Sequence, residues 1–134
     1  MDRGITPDTH TAPGAAVIAD LLTRLATVEI AADDDRGLVD VVAWCEQLKG
    51  AAAAVQARAT VQFLDRRVAA ADAAVGGIDE CRRGRVDGRR RAARADRSAR
   101  AELALARRCS PAVMDRQVGV AKALVAEMPA TMGL

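Results

Sequence analysis

The chain has 134 residues, a formal net charge of +2 and only two aromatic residues, Trp44 and Phe63. That length suits one domain burying roughly two-thirds of its unfolded surface. Alanine, the best helix former, fills 31 positions, while the aromatics on which strands draw are nearly missing, so the composition excludes a strand-built fold and predicts an all-α one with a thin core of Ala, Val and Leu.

The small net charge hides an uneven distribution. From Arg82 to Arg100 nine arginines face two acids, Asp87 and Asp96, a local balance of +7; the rest of the chain holds eleven basic and sixteen acidic residues, a balance of −5. Such a tract either has its own task or is simply solvated. Cys45, Cys81 and Cys109 are odd in number, with no CxxC pair and no neighbouring histidine. This argues against a disulfide framework or zinc site and predicts a reduced, cytoplasmic chain.

Met1 to Gly14 mix Thr, Pro, Gly and Asp without periodicity and read as a flexible arm, ahead of a helical domain over 15–134. A first helix is expected at Ala15 to Val28, with Val17, Ile18, Leu21, Leu22 and Leu25 on one stripe. Asp20, Arg24 and Glu29 interrupt the apolar run from Ala15 to Ala32, which excludes a signal peptide or membrane span there. Asp33, Asp34 and Asp35 suit the start of a helix, where carboxylates cap free N–H groups and meet the positive dipole end; a bound cation is the less favoured reading.

A very long second helix is predicted from Arg36 to Val75. Leu38, Val41, Cys45, Leu48, Ala52, Val55 and Ala59 recur at alternating steps of three and four, then the stripe re-phases through Val61, Leu64, Val68, Ala71 and Val75. Such a rod either kinks or has part of its stripe covered by a partner, and a homodimer through this helix is one expectation. Gly76-Gly77 is the expected C-terminal stop.

Gly84 and Gly88 predict a loop at the opening of the arginine-rich connector 82–100, followed by a helix-compatible run from Arg89; a third helix is expected over Ser98–Arg108, with Leu103, Leu105 and Ala106 available for burial. Ser110-Pro111 restarts a helix, serine as N-cap and proline at the first helical position. This fourth helix should run to Met128 and bury Met114, Val118, Ala121, Leu124 or Val125, and Met128, with Pro129 ending it. The apolar close at Ala130–Leu134 reads as a truncation.

No catalytic constellation is visible. His10 is the sole histidine, Ser98 and Ser110 the only serines, and asparagine and tyrosine are absent. Neither a nucleophile–histidine pair nor a His/carboxylate metal cluster can be assembled, and there is no P-loop or dinucleotide fingerprint. The expectation is a non-enzymatic chain without metal, cofactor or small-molecule substrate.

Two features carry candidate function. Arg82, Arg83, Arg85, Arg89, Arg90, Arg91 and Arg94 supply phosphate-neutralising charge, and no aromatics interleave them for base stacking. The alternatives are a solvated connector or contact with an acidic partner. Around Cys109-Ser110-Pro111, the positions Ala104, Cys109, Met114 and Val118 are similar to a helix-turn-helix pattern, with Arg116 and Lys122 but also Asp115 and Glu127 on the following helix. Arg108 stands where such a turn usually has glycine, and an ordinary antiparallel helix pair is the other reading.

Leu38-Val-Asp-Val-Val-Ala-Trp44 through Ala57-Arg-Ala-Thr-Val-Gln-Phe63, and Glu102-Leu-Ala-Leu-Ala-Arg-Arg-Cys-Ser-Pro-Ala112 through Ala121-Lys-Ala-Leu-Val-Ala-Glu-Met-Pro-Ala-Thr131, together resemble one actinobacterial family. This is the N-terminal domain of unknown function 222 of HNH-endonuclease-signature proteins, also called the mycobacterial 13E12-repeat family. The resemblance covers Leu38 to the end, with the arginine tract as its variable middle. It implies a further helical part and a C-terminal HNH nuclease module beyond this chain, using histidines and an asparagine to hold a metal and activate water. No catalytic residue carries over. The expected function is a non-catalytic accessory domain associated with double-stranded DNA through its arginines. The alternatives are a dimerisation module or a truncated gene product without function.

Overall fold

A computed structural model describes residues 13–31, 34–74 and 82–127. The chain is all-α: among the described residues there are four helices and no strand, α1 (Pro13–Ala26), α2 (Asp35–Ala73), α3 (Arg82–Ala106) and α4 (Pro111–Glu127). None of these helices is long and apolar enough to cross a membrane. The expected arm at Met1–Ala12, the stop at Gly76-Gly77 and the closing segment from Met128 lie outside the described residues.

The helices divide between two compact units, Met1–Val42 and Ala43–Leu134. The first holds α1 and the opening turns of α2. Its helix begins two residues earlier than the sequence suggests, because Pro13 suits a first helical position, its absent N–H having no helical partner to lose. No described residue of this unit is buried. The cap of α2 matches expectation: Asp34 Oδ1 accepts the Gly37 N–H at 2.8 Å.

The second unit contains the core, in which Leu64 of α2, Ala99 and Ala104 of α3, and Met114 and Val118 of α4 form one buried cluster. Phe63, Leu103 and Cys109 pack against it. Among the described residues, only Leu64, Met114 and Val118 are large side chains buried almost completely, so the apolar stabilisation they supply is concentrated in three residues. Contacts between α2 and the α3 end run antiparallel: Arg67 pairs with Glu102, and the Arg107 guanidinium donates to Gln56 Oε1 at 2.8 Å. Of the predicted α4 stripe, Met114, Val118 and Ala121 are buried and Leu124 and Val125 half-buried. In α3, Leu105 is 79% exposed and Ala106 exposed, against expectation, because the helix turns Ala99, Leu103 and Ala104 inward instead.

The structure corrects the arginine tract. Residues 82–98, expected to begin as loop, are helical, and α3 has 25 residues rather than eleven. Gly84, Gly88, Ala92, Ala95, Ala99 and Leu103 recur at helical spacing and are all buried or half-buried. The two glycines each weaken a helix by about 1 kcal/mol. The arginines and alanines around them are strong formers and outweigh the glycines' local preference, while Ala99 and Leu103 of the same stripe pack on the core.

The α3–α4 turn is a Schellman motif. The Cys109 N–H donates to Ala104 O at 3.0 Å and the Arg108 N–H to Leu105 O at 3.1 Å, with Arg108 at φ 51°. Ser110 then caps α4, its Oγ accepting the Val113 N–H at 3.4 Å, and Pro111 opens the helix.

Candidate nucleic-acid interface

Once α3 starts at Arg82, its arginines fall on defined faces. At 100° per residue, Arg90, Arg94 and Arg97 share a narrow row centred opposite the Gly84–Leu103 stripe that packs inward. All three are exposed, and none has an ion-pair or hydrogen-bond partner among the described residues. From Arg90 to Arg97 the helix rises about 10.5 Å, so the row presents three positive charges along a short line. Arg89 and Arg91 flank it and are exposed as well. Asp87, one turn before Arg90, is the acid nearest this row on α3, and it forms no ion pair among the described residues.

Three other described acids at α3 and α4, Asp96, Asp115 and Glu102, are already occupied. Asp96 accepts from Arg100 Nε at 2.7 Å, and Asp115 of α4 accepts from the same guanidinium at 3.1 Å. The hydrogen bond that Arg100 donates to Asp96 is the main reason its guanidinium is held above its ordinary value; partial burial opposes it and Asp115 adds to it. Glu102 is taken by Arg67, whose guanidinium also lies 5.5 Å from the Phe63 ring centroid. The inner ion pairs leave Arg90, Arg94 and Arg97 without a carboxylate partner among the described residues.

The expected site residues do not all converge. Arg82, Arg83 and Arg85 lie in the first turn of α3, and their side chains fall outside the described residues. Arg89, Arg90, Arg91 and Arg94 are on the exposed part of the same helix. Arg116 is exposed on α4 but lines a different feature, an apolar-walled cleft of about 240 Å³ with Arg107, Ala53, Val120 and Leu124 among its other walls. Gln117 Oε1 is buried beside that cleft without a partner among the described residues.

Sequence reasoning missed Arg97 as a member of the row. Its signal was the seven-residue spacing from Arg90, invisible while the tract was read as a connector. The α3–α4 turn shares one further feature with a helix-turn-helix motif: Arg108 adopts the left-handed conformation for which glycine is usual. Compared with protein-family models, curated proteins and solved structures, the chain finds no match in any of the three.

Proposed function

We propose that this chain is a non-catalytic helical accessory module that holds double-stranded DNA by its phosphates, through the exposed arginine row of α3. The carrying observation is the row itself: Arg90, Arg94 and Arg97 stand on one face, exposed and unpaired, while Arg100 behind them is neutralised by Asp96 and Asp115. Arginines that stabilised the fold would be expected to face its carboxylates, as Arg100 and Arg67 do. A row without such partners suits phosphates, which guanidinium groups bind with short charge-assisted hydrogen bonds.

Contact of this kind positions a duplex without reading its sequence. The exposed outer face of α3 offers no aromatic side chain for stacking on single strands, which favours the duplex over unpaired bases. The resemblance to the helical part of HNH-endonuclease-signature proteins is in keeping with this role, with the chemistry supplied by a module outside this chain. Reading the chain as non-enzymatic rests on its lack of a nucleophile–base pair: its sole histidine is His10, and its serines serve a helix and a cap.

The test is fluorescence anisotropy of a labelled random duplex with the wild-type chain and an Arg90→Ala/Arg94→Ala/Arg97→Ala variant. The variant should bind at least about tenfold more weakly, as expected when three arginines cease to neutralise phosphates, with unchanged helical circular dichroism. Equal affinity would remove the row from the interface.

A further inference from the structure

The second half of α2 faces the core through Ala57, Thr60 and Leu64. Earlier on the same helix, Cys45, Leu48, Ala52, Val55 and Ala59 form a strip that continues the three-four spacing begun at Leu38 and Val41. By helical geometry this strip lies roughly 130° around the helix from the buried residues, so the packing that covers Leu64 leaves it open. Cys45, Ala52 and Ala59 are exposed, Leu48 is 37% and Val55 39% exposed, and Trp44 on its flank is 67% exposed. No charged residue interrupts the strip itself.

We infer that this strip is the interface of an antiparallel homodimer in which α2 of one copy lies along α2 of a second. Three observations single out a second copy. The first is the period. A repeat of seven, held from Cys45 to Ala59, shifts by about 20° per heptad on a straight helix, so it stays against a neighbouring helix when the two wind around each other as a coiled-coil pair does.

The second is area. Trp44 alone presents about 150 Å². With the five strip residues, each copy offers on the order of 500 Å², so two copies together reach the ~1,000 Å² of a specific interface.

The third is shape. The strip alternates large and small residues, and an antiparallel pairing about a two-fold near Gly50 sets unlike sizes opposite each other. Leu48 then faces Ala52 of the second copy, and Cys45 faces Val55. Facing large and small residues interdigitate without voids. A parallel, in-register pairing would stack Ala52 on Ala52 and Leu48 on Leu48, leaving one layer empty and another crowded. This dimer is independent of the DNA reading, because the strip and the arginine row are on different helices.

The experiment is size-exclusion chromatography with light scattering on the full chain, up to about 100 µM protomer, since a homodimer depends on protomer concentration. The wild type should show twice its 14.1 kDa mass. Leu48→Glu should show a single protomer mass with helical circular dichroism unchanged, because Leu48 contributes little to the core of its own chain. Ala52→Leu should also weaken the dimer, although it adds apolar surface, because it meets Leu48 of the second copy.

Orientation is read by mild oxidation. In the antiparallel arrangement the two Cys45 residues are separated by about 15 Å of helix rise, beyond the ~7 Å reach of a disulfide, so no cross-link should depend on Cys45. A strictly monomeric wild type, a Leu48→Glu dimer as stable as wild type, a tighter Ala52→Leu dimer, or a covalent dimer abolished by Cys45→Ser would each overturn the proposal.

Discussion

Arg108 occupies the left-handed region at φ 51°, and the two hydrogen bonds that end α3 both depend on that conformation. A side chain there carries a steric penalty that glycine does not, of order 1 kcal/mol. Arg108 is exposed and makes no ion pair among the described residues that would offset it. Arg108→Gly should therefore raise stability by about 0.5–1 kcal/mol in a denaturant titration; a decrease would mean that the guanidinium has a stabilising role. Leu64 is the opposite case. At 1% exposure it is one of three large side chains sealed in the core, where the helices meet. Leu64→Ala should destabilise the chain by about 2–4 kcal/mol, seen as a lower urea midpoint, and an effect under about 1 kcal/mol would place the core elsewhere.

The hydrogen bond to Asp96 holds the Arg100 guanidinium above its ordinary ionisation range. Because its folded value is raised, the stability it contributes is complete below the ordinary arginine range and is lost only as pH rises past the raised value. Titration through the neutral range cannot probe it. Arg100→Ala should cost about 1 kcal/mol at neutral pH, since it leaves the partly buried Asp96 without its partner.

At the scale of the element, α3 shows what the sequence could and could not reveal. Its C-terminal half was legible, since Ala104, Cys109, Met114 and Val118 stand where a tight helix pair needs small and apolar residues. The caps of α2 and α4 were legible for a local reason, because Asp34 and Ser110-Pro111 act within one turn of their own positions. The N-terminal half of α3 was not. Gly84 and Gly88 signal loop to a local reading, although the run from Arg89 is helix-compatible; the strong helix formers around them outweigh that signal, and only the later part of the stripe, Ala99 and Leu103, packs on the core.

Yet Gly88 is not required by that packing. A methyl group built there meets nothing within 4 Å. Gly88→Ala should raise the thermal midpoint, corresponding to about 0.4–1 kcal/mol, by removing backbone freedom from the unfolded chain. A destabilised variant would mean that a second backbone or a partner approaches α3 at that point. The long helix α2 was foreseen to within two residues at either end. Its two stripes were visible as a change of phase in the apolar pattern, but which of them would be buried depends on where α3 and α4 dock, and periodicity does not contain that information.

For the molecule as a whole, the arginine face and the arginine count are different kinds of fact. The count, and the asymmetry of charge, could be read directly from residues 82–100. The face exists only because 82–98 are helical, which selects Arg90, Arg94 and Arg97 from the tract and leaves Arg100 bound within the fold. Arg116, grouped with them on charge alone, belongs to a separate cleft with Arg107.

A duplex held by three such arginines should be bound weakly and released readily by salt. The most direct measurement is the slope of log affinity for a random duplex against log salt concentration, taken for the wild type and for the Arg90→Ala/Arg94→Ala/Arg97→Ala variant. If each arginine neutralises one phosphate, the variant's slope should be shallower by about 2.7, or about 0.9 for each phosphate it no longer neutralises. Parallel slopes, or no measurable binding by the wild type even at low salt, would contradict the phosphate-holding role assigned to the outer face of α3.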